Sequence, residues 1–527
     1  MPPSTRNSLP LTRGRAIAAL VVLCLAELLV VIDNTIINIA LPTLGRELRT
    51  GVSGLQWSVD AYTLTFAGFL LAAGNLGDRY GRRLVLYIGI VGFGAGSALA
   101  ANTDTLGELV SARAVMGVFA AAVFPATLAL VVAIFTEPRQ RSIAVGIWAG
   151  VAGIAIVGGP VVSGWLLAHF SWHSVFWVNV PVALIALVGT WLWVPEVKVA
   201  VPHRLDVPGL LLSIAGVSLL VWAIIEAPRH GWTSWQTAVA ALAATIGLLA
   251  FVVRQLRTAD PLLDVRLFRI RRFWVPAAAI SVGFFSLFGF IFFFTVYFQA
   301  IRGYSTLETG VRALPYAVGI ALAAPIAMTI GRRIGTALPV ALGLGFMCVG
   351  FAVASSADEL TAYPTVILPA TIVMGAGLAF VQGPATELLM SNLAEEDMGV
   401  GAAVNDTTRE VGGALGVAVL GSMLSSVYSG AIRPQLDGTA LPKDAADIAI
   451  SSVFGGLEVA ARIPVPELQA RAYTAVREAF LDGMGATSWT ATAVTGVGAV
   501  AVLVFLPWRE GRHQSIDVPI ETEKAGG

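Results

Sequence analysis

Charge is scarce in this sequence: Asp, Glu, Lys and Arg make up 13% of 527 residues, against about 25% in soluble domains. Lysine is rarest, confined to Lys198, Lys443 and Lys524. None of the three follows a glycine, so no Gly-Lys-Ser/Thr loop exists to cradle a nucleotide phosphate, which argues against ATP-driven work. The only cysteines, Cys24 and Cys348, lie inside apolar runs, which excludes a disulfide framework and a cysteine metal cluster. His169 and His173 have the i, i+4 spacing of paired metal ligands but sit in an aromatic turn with no cysteine partner, so no metal or other cofactor is expected. Lys+Arg 33 balances Asp+Glu 33, leaving no basic face for nucleic acid. Nearly every loop is short, and no Ser/His/Asp or paired-carboxylate arrangement sits in a soluble domain large enough to house an active site, so the chain is not expected to be an enzyme.

What is present is apolar: 56% of residues are hydrophobic and mean hydropathy is +0.79. Apolar runs fall at 17–41, 55–76, 84–101, 106–134, 142–167, 174–194, 208–226, 236–253, 274–298, 310–330, 337–355, 363–386, 401–427 and 489–508. About fourteen crossings follow. Without period-two alternation the spans are helices rather than barrel strands, so the fold class is an all-α polytopic membrane protein. Short loops with Arg79, Arg82, Arg83, Arg139, Arg141, Lys198, Arg204, Arg332 and Arg333 fall on the side of the N-terminus, which places both termini in the cytoplasm of a cell whose inner membrane the chain spans. A faint echo, Gly77-Asp78-Arg79-Tyr80-Gly81-Arg82-Arg83 and Gly331-Arg332-Arg333-Ile334-Gly335, recurs about eight spans apart, as duplicated halves of a secondary transporter would give. The expected organisation is a cytoplasmic N-terminus (1–16), an N-terminal six-helix half (17–195), an inserted helix pair (196–257), a C-terminal six-helix half (258–508) with a long external loop (428–488), and a cytoplasmic tail (509–527).

Ionisable residues inside spans carry the functional signal, because each costs roughly 2.5 to 3.5 kcal/mol to insert at mid-membrane. Glu27 and Asp33 lie in span one, Asp60 in span two, Arg113 in span four, and Asp406, Arg409 and Glu410 in span thirteen. Asp406 and Glu410 are four apart on one helix face, with Arg409 able to pair with either. A carboxyl that exchanges a proton inside a cavity also attracts a cation, and competition between the two is the physical basis of antiport. Arg113 stays charged and can hold a nearby carboxylate ionised. Span five has Gly146, Gly150, Gly153, Gly158, Gly159, Pro160 and Gly164, which removes bulk along one helix and predicts close helix approach. Trp57, Tyr62, Phe124, Phe284, Phe285 and Tyr297 are candidates to line a pocket for lipophilic cations.

Several segments resemble the major facilitator superfamily, in particular its fourteen-span drug:proton antiporters of the EmrB/QacA kind. Gly74-Asn75-Leu76-Gly77-Asp78-Arg79-Tyr80-Gly81-Arg82-Arg83 resembles the family's cytoplasmic gate motif, a latch between spans and halves. Leu109 to Gly117 around Arg113 resembles the span-four arginine motif associated with proton transfer. Gly150 with Gly158-Gly159-Pro160 to Gly164 resembles the span-five antiporter motif of exporters, although Ser163 stands where a second glycine is common. Asp33-Asn34-Thr35, Trp172 to Phe176 with Asn179-Val-Pro181, Pro261 to Asp264, Gly303-Tyr304-Ser305 and Gly401 to Gly413 resemble the fourteen-span branch. By resemblance Asp33 and Asp60 match acids of substrate and proton handling, Asp406 and Glu410 match acids of span thirteen, and Glu27 matches no motif position. The implied activity is proton-coupled export of hydrophobic, cationic drugs, dyes or antiseptics by a monomer embedded in the lipid bilayer. The alternatives are a dedicated exporter of one endogenous amphiphile, lipid or antibiotic, and a membrane sensor or scaffold without transport.

Overall fold

The computed structural model describes residues 12–197, 206–258, 261–391, 398–436 and 441–506, and among them there is no strand. The helices are α1 (Arg13–Glu47), α2 (Val52–Tyr80), α3 (Arg82–Ala100), α4 (Leu106–Ile134), α5 (Pro138–His169), α6 (Ser174–Trp177), α7 (Asn179–Trp193), α8 (Val207–His230) and α9 (Trp235–Arg257). They continue as α10 (Arg271–Val296), α11 (Thr306–Ile334), α12 (Ala337–Ala354), α13 (Leu368–Ser391), α14 (Met398–Leu436), α15 (Lys443–Ser451), α16 (Val453–Ala461) and α17 (Pro466–Phe505). Among the described residues twelve helices are long and apolar enough to cross a membrane. The helices α2 and α5, of 29 and 32 residues, stand in the same bundle without belonging to those twelve. Of the expected tails, 1–11 and all of 509–527 lie outside the described residues, while 13–16 belong to α1.

Helices α1 to α7 pack on one another, as do α10 to α14 with α17. The two groups meet along a seam where α2 lies against α14 and α5 against α11, with α8 and α9 outside it, α8 touching both α2 and α14. One end of the bundle carries the arginine-rich turns after α2 and α11 and is called the basic end here; the opposite is the far end. The sequence echo has matching structure: α2 stops at Gly81 (φ 118°) and α11 at Gly335 (φ 93°), both in the left-handed region that glycine adopts freely. Each turn is then pinned to the fourth helix of its own group, Arg82 Nη1 donating to the Ala129 carbonyl at 3.2 Å and Arg332 Nε lying 3.7 Å from Glu387.

The segment 428–488, expected as a long external loop with helix-compatible stretches such as Glu467 to Phe480, is largely helical. The α14 helix runs on to Leu436, and α17 begins at Pro466, fusing the stretch from Glu467 to Phe480 with the last span into one 40-residue helix. Polar residues there lowered local hydropathy below that of a span, yet nothing in them breaks a helix. The remaining excursion folds as α15 and α16, pinned by the Tyr428 hydroxyl, which donates to the carbonyls of Ala449 at 2.8 Å and Ser452 at 3.1 Å. Phe454 of α16 lies beneath the Arg46 guanidinium of α1, 5.9 Å from its ring centroid, so the excursion reaches across to the first helical group.

Candidate functional site

Five helices converge on the first buried charge. Asp33 of α1 and Arg113 of α4 are both wholly buried and pair at 2.5 Å. Asp33 Oδ1 accepts from Asn179 Nδ2 of α7 at 2.7 Å; that amide also donates to Ser97 Oγ of α3 at 3.0 Å. Ser97 in turn donates to the Phe176 carbonyl at 2.8 Å. Arg113 Nε donates to the Ser58 carbonyl of α2 at 3.1 Å, and its guanidinium lies 4.3 Å from the Tyr62 ring centroid. Both oxygens of Asp33 are satisfied, as a buried carboxylate requires. Sequence spacing gave no sign that Asn179 or Ser97 belongs here: Asn179 stands 146 residues from Asp33, and neither side chain is charged.

The second charge site sits at the seam. Glu27, in the middle of α1, is wholly buried, and neither carboxyl oxygen has a hydrogen-bond partner among the described residues. It lies within electrostatic reach of Arg409 and Asp406 on α14, so acids from both helical groups face one charge-bearing region. Arg409 Nη1 lies 3.6 Å from Asp406 Oδ1, and its guanidinium sits 4.6 Å from the Phe284 ring centroid. Asn405 Nδ2 also donates to Asp406 at 3.1 Å. Arg409 therefore pairs with Asp406, while Glu410 Oε2 has no hydrogen-bond partner among the described residues. Asp60 on α2 is wholly buried too, with both oxygens unpartnered among the described residues.

The six candidate aromatics separate into different places. Tyr62 and Phe284 lie under the two arginines. Phe124 belongs to a ladder, Tyr62 to Phe66 (5.7 Å), Phe66 to Phe124 (6.0 Å) and Phe124 to Trp148 (5.5 Å), running from Arg113 toward the basic end. Composition alone had not singled out Phe66 and Trp148. Trp57 turns outward, its Nε1 donating to Glu226 of α8 at 3.2 Å, and the Tyr297 hydroxyl donates to the Asp358 carbonyl at 2.7 Å among the phenylalanines of the second group. Neither lines the charged region. Phe285 is buried, its carbonyl packed against Gly416 of α14.

The span-five glycines also divide. A Cβ at Gly159 would meet Thr35 Oγ1 of α1, and one at Gly164 would lie 2.6 Å from Leu307 Cα of α11. Across the seam, Gly310 of α11 is packed on the Pro160 carbonyl. Thr306 Oγ1 donates to the Gly164 carbonyl at 3.2 Å. At Gly146, Gly150 and Gly158, in contrast, a methyl group would meet nothing within 4 Å. The expected close approach along the whole helix is confined to its far-end part. Other seam bonds also lie there: Gln56 Nε2 donates to the Val417 and Ala418 carbonyls at 2.9 Å each, and Gln299 Nε2 to the Ile39 carbonyl at 3.2 Å.

At the basic end the gate motif ties its own group together. Arg82 N donates to the Val197 carbonyl at 3.0 Å, Arg83 N to Glu196 Oε1 at 3.1 Å and Arg83 Nη2 to the Trp191 carbonyl at 2.9 Å. A Cβ at Gly81 would lie 2.6 Å from Glu196 Oε1, and Gly77 rests on Arg82. Arg79 is exposed over the Tyr80 ring, and Gly74 borders open space. The motif's described contacts thus do not bridge the halves in this conformer; the side chain of Asp78 lies outside the described residues.

A helical bundle in two packed groups, closed at one end, with buried charges between, is the architecture of a secondary transporter. Residues 23–417 match the Major Facilitator Superfamily. The chain belongs to this superfamily. It is 32% identical over 487 residues to the multidrug resistance protein Stp of Mycobacterium tuberculosis (strain CDC 1551 / Oshkosh), covering 91% of this chain and 89% of that protein. To the multidrug efflux pump LfrA of Mycolicibacterium smegmatis (strain ATCC 700084 / mc(2)155) it is 35% identical over 495 residues, covering 93% and 96%. Among solved structures, a bacterial homolog of the human lysosomal transporter Spinster, inward-facing and unoccupied, superposes with a TM-score of 0.66 at 16% identity over 95% of this chain and 100% of the other. The protein is a multi-pass membrane transporter of the drug-efflux kind and not an enzyme.

Proposed function

We propose that this transporter exports hydrophobic cations such as dyes and antiseptics across the cytoplasmic membrane in exchange for protons, as a monomer of fourteen crossings. With both termini cytoplasmic, the basic end faces the cytoplasm, and the closed far end makes this conformer inward-facing. Two charge sites divide the work. Asp33, held by Arg113 and Asn179, is the proton site: protonating it releases Arg113 and frees α1 from α4. Glu27 is the cargo site, with Asp406 and Glu410 opposite. The observation that carries this reading is the bare carboxyl of Glu27, wholly buried between two helical groups with no hydrogen bond to either oxygen among the described residues. A buried group left this way needs a proton or a cation. Cargo cations would slide along the ladder from Trp148 to Tyr62, whose ring faces suit lipophilic charge. Asp60 would pass protons inward from the far end toward Asp33, and the gate motif would close the basic end in the opposite conformer. One proton crossing about 100 mV supplies roughly 2.3 kcal/mol, about a 50-fold gradient less any charge the cargo returns.

Ethidium efflux from overexpressing cells tests this directly. Export is expected to stop when a protonophore collapses the gradient; export that continues at full rate removes the proton from the cycle. The homologues' resistance names favour broad efflux over a dedicated carrier of one amphiphile. Deleting the gene should therefore sensitise cells to several unrelated cationic compounds.

A further inference from the structure

The inserted pair has no part in either charge site, yet α8 lies in the groove where α2 meets α14. Leu64 of α2, Val221 and Ile225 of α8, and Ala414 and Ala418 of α14 form one buried apolar cluster there. The attachments to the two sides differ in kind. Toward α2, the buried carboxylate of Glu226 accepts from Ser53 Oγ at 3.0 Å and Trp57 Nε1 at 3.2 Å. Its other oxygen lies 3.8 Å from both Arg229 and His230. Hydrogen bonds to a charged acceptor are roughly twice as strong as neutral ones. Deeper along the same contact, a Cβ at Gly68 would sit 2.6 Å from Ile214 Cγ1, so the two helices interlock. Toward α14 the surface is smooth, two alanines, and the bonds are neutral: Ser422 Oγ to the Ile224 carbonyl at 2.8 Å, and Trp232 Nε1 to Ser426 Oγ at 3.2 Å. Ser422 also receives Gln56 Nε2 of α2 at 3.4 Å, so the bond that closes the seam and the bond that holds α8 to α14 share one hydroxyl.

We propose that α8 and α9 form a strut for the far-end gate, keyed to α2 by Glu226, which travels with the N-terminal half and slides over α14 when that gate opens. Glu226 is a positioning residue: it touches no cargo and sets how the gate closes. The proposal rests on the alternating-access reading above, since a strut matters only where two halves part.

The test uses the full-length chain in nanodiscs, with Cys24 and Cys348 replaced and spin labels at three exposed far-end positions, Glu47, Gly430 and Trp235. Distances are measured at low and high pH, with and without tetraphenylphosphonium. Opening of the far end is expected to lengthen Glu47 to Gly430 and Trp235 to Gly430 together, leaving Trp235 to Glu47 unchanged. A changing Trp235 to Glu47 distance overturns the strut while leaving alternating access standing. A Glu47 to Gly430 distance fixed under every condition overturns alternating access and the strut with it. A second, functional arm links Gly68→Cys to Ile214→Cys, where the glycine's Cβ position lies 3.6 Å from that of Ile214, within disulfide range. The oxidised protein is expected to keep most of its export, and loss of export on oxidation that reduction restores overturns the proposal. Glu226→Ala should lower maximal efflux about five-fold with KM unchanged, and Glu226→Gln, which keeps an acceptor for Ser53 and Trp57, should recover most of it. Equal efflux by the alanine variant, or a rise in KM, removes Glu226 from the gate.

Discussion

The acids of α1, Glu27 and Asp33, lie less than two helical turns apart, and their surroundings are opposite. Around Asp33, α4 supplies an arginine and α7 an amide, so the charge is neutralised inside one half. Around Glu27 nothing donates among the described residues, and the charges that act on it, Arg409 and Asp406, belong to the other half. A satisfied pair holds helices in place, whereas an unsatisfied carboxyl at a seam stores a demand for something to bind. The same residue type can therefore lock a helix contact at one level of a span and receive cargo at another.

Arg113→Met should break this comparison hardest. It leaves Asp33 buried beside Asn179 alone, and removing one partner of a buried pair costs about 3–5 kcal/mol. Efflux in everted vesicles is expected to fall more than about 100-fold, with a lower thermal midpoint. Arg113→Lys should not rescue it, because a single ammonium nitrogen does not reproduce the planar fork whose Nε and Nη1 reach the Ser58 carbonyl and Asp33 separately. Glu27→Gln should reduce export of monovalent cations about ten-fold, spare uncharged substrates, and leave the thermal midpoint at or above wild type, since no ion pair is lost. If both variants lose stability equally, the two sites are not different in kind.

Smaller effects separate the two ends of α5. Gly164→Ala should wedge the seam against Leu307, lowering transport a few-fold and raising reactivity of a far-end cysteine at Thr306 toward an impermeant maleimide. Gly158→Ala should leave that reactivity unchanged. The smallest effect concerns Asp206, which caps α8 and bonds to Arg254 Nε at 2.7 Å and Gln255 Nε2 at 2.8 Å. Burial pushes its carboxyl up, but the Arg254 guanidinium with the Gly209 N–H and the Gln255 amide holds it below the usual carboxylate range. A depressed acid stabilises the fold above its unfolded pKa of about 3.9, and that contribution fades as pH falls through the folded value. Asp206→Asn should lower the thermal midpoint slightly at pH 7, and the difference from wild type should shrink below about pH 4.

Much of this was readable before any coordinates. Apolar runs place most spans, because lipid demands about twenty uninterrupted apolar residues and tolerates little else. Buried acids stand out for the same reason. Partners do not: Asn179, Ser97 and Glu226 sit near span ends, where polar residues are ordinary, and even the family resemblance around Asn179 does not tie it to Asp33. The stretch 466–488 read as a helix-compatible part of an external loop, separate from the last span, because hydropathy measures lipid exposure, and a helix projecting beyond the bilayer has none to report.

Composition and the spacing of charges were enough to make this chain a bundle of membrane helices with ionisable groups inside, since the insertion cost of each charge is paid residue by residue along the chain. Which acid is paired, which is bare, and which glycines touch the opposite half depended on the packing of helices far apart in sequence. Only the tertiary structure could settle these, because hydrogen bonds and close contacts act over a few ångströms while the residues that make them are separated by up to several hundred positions.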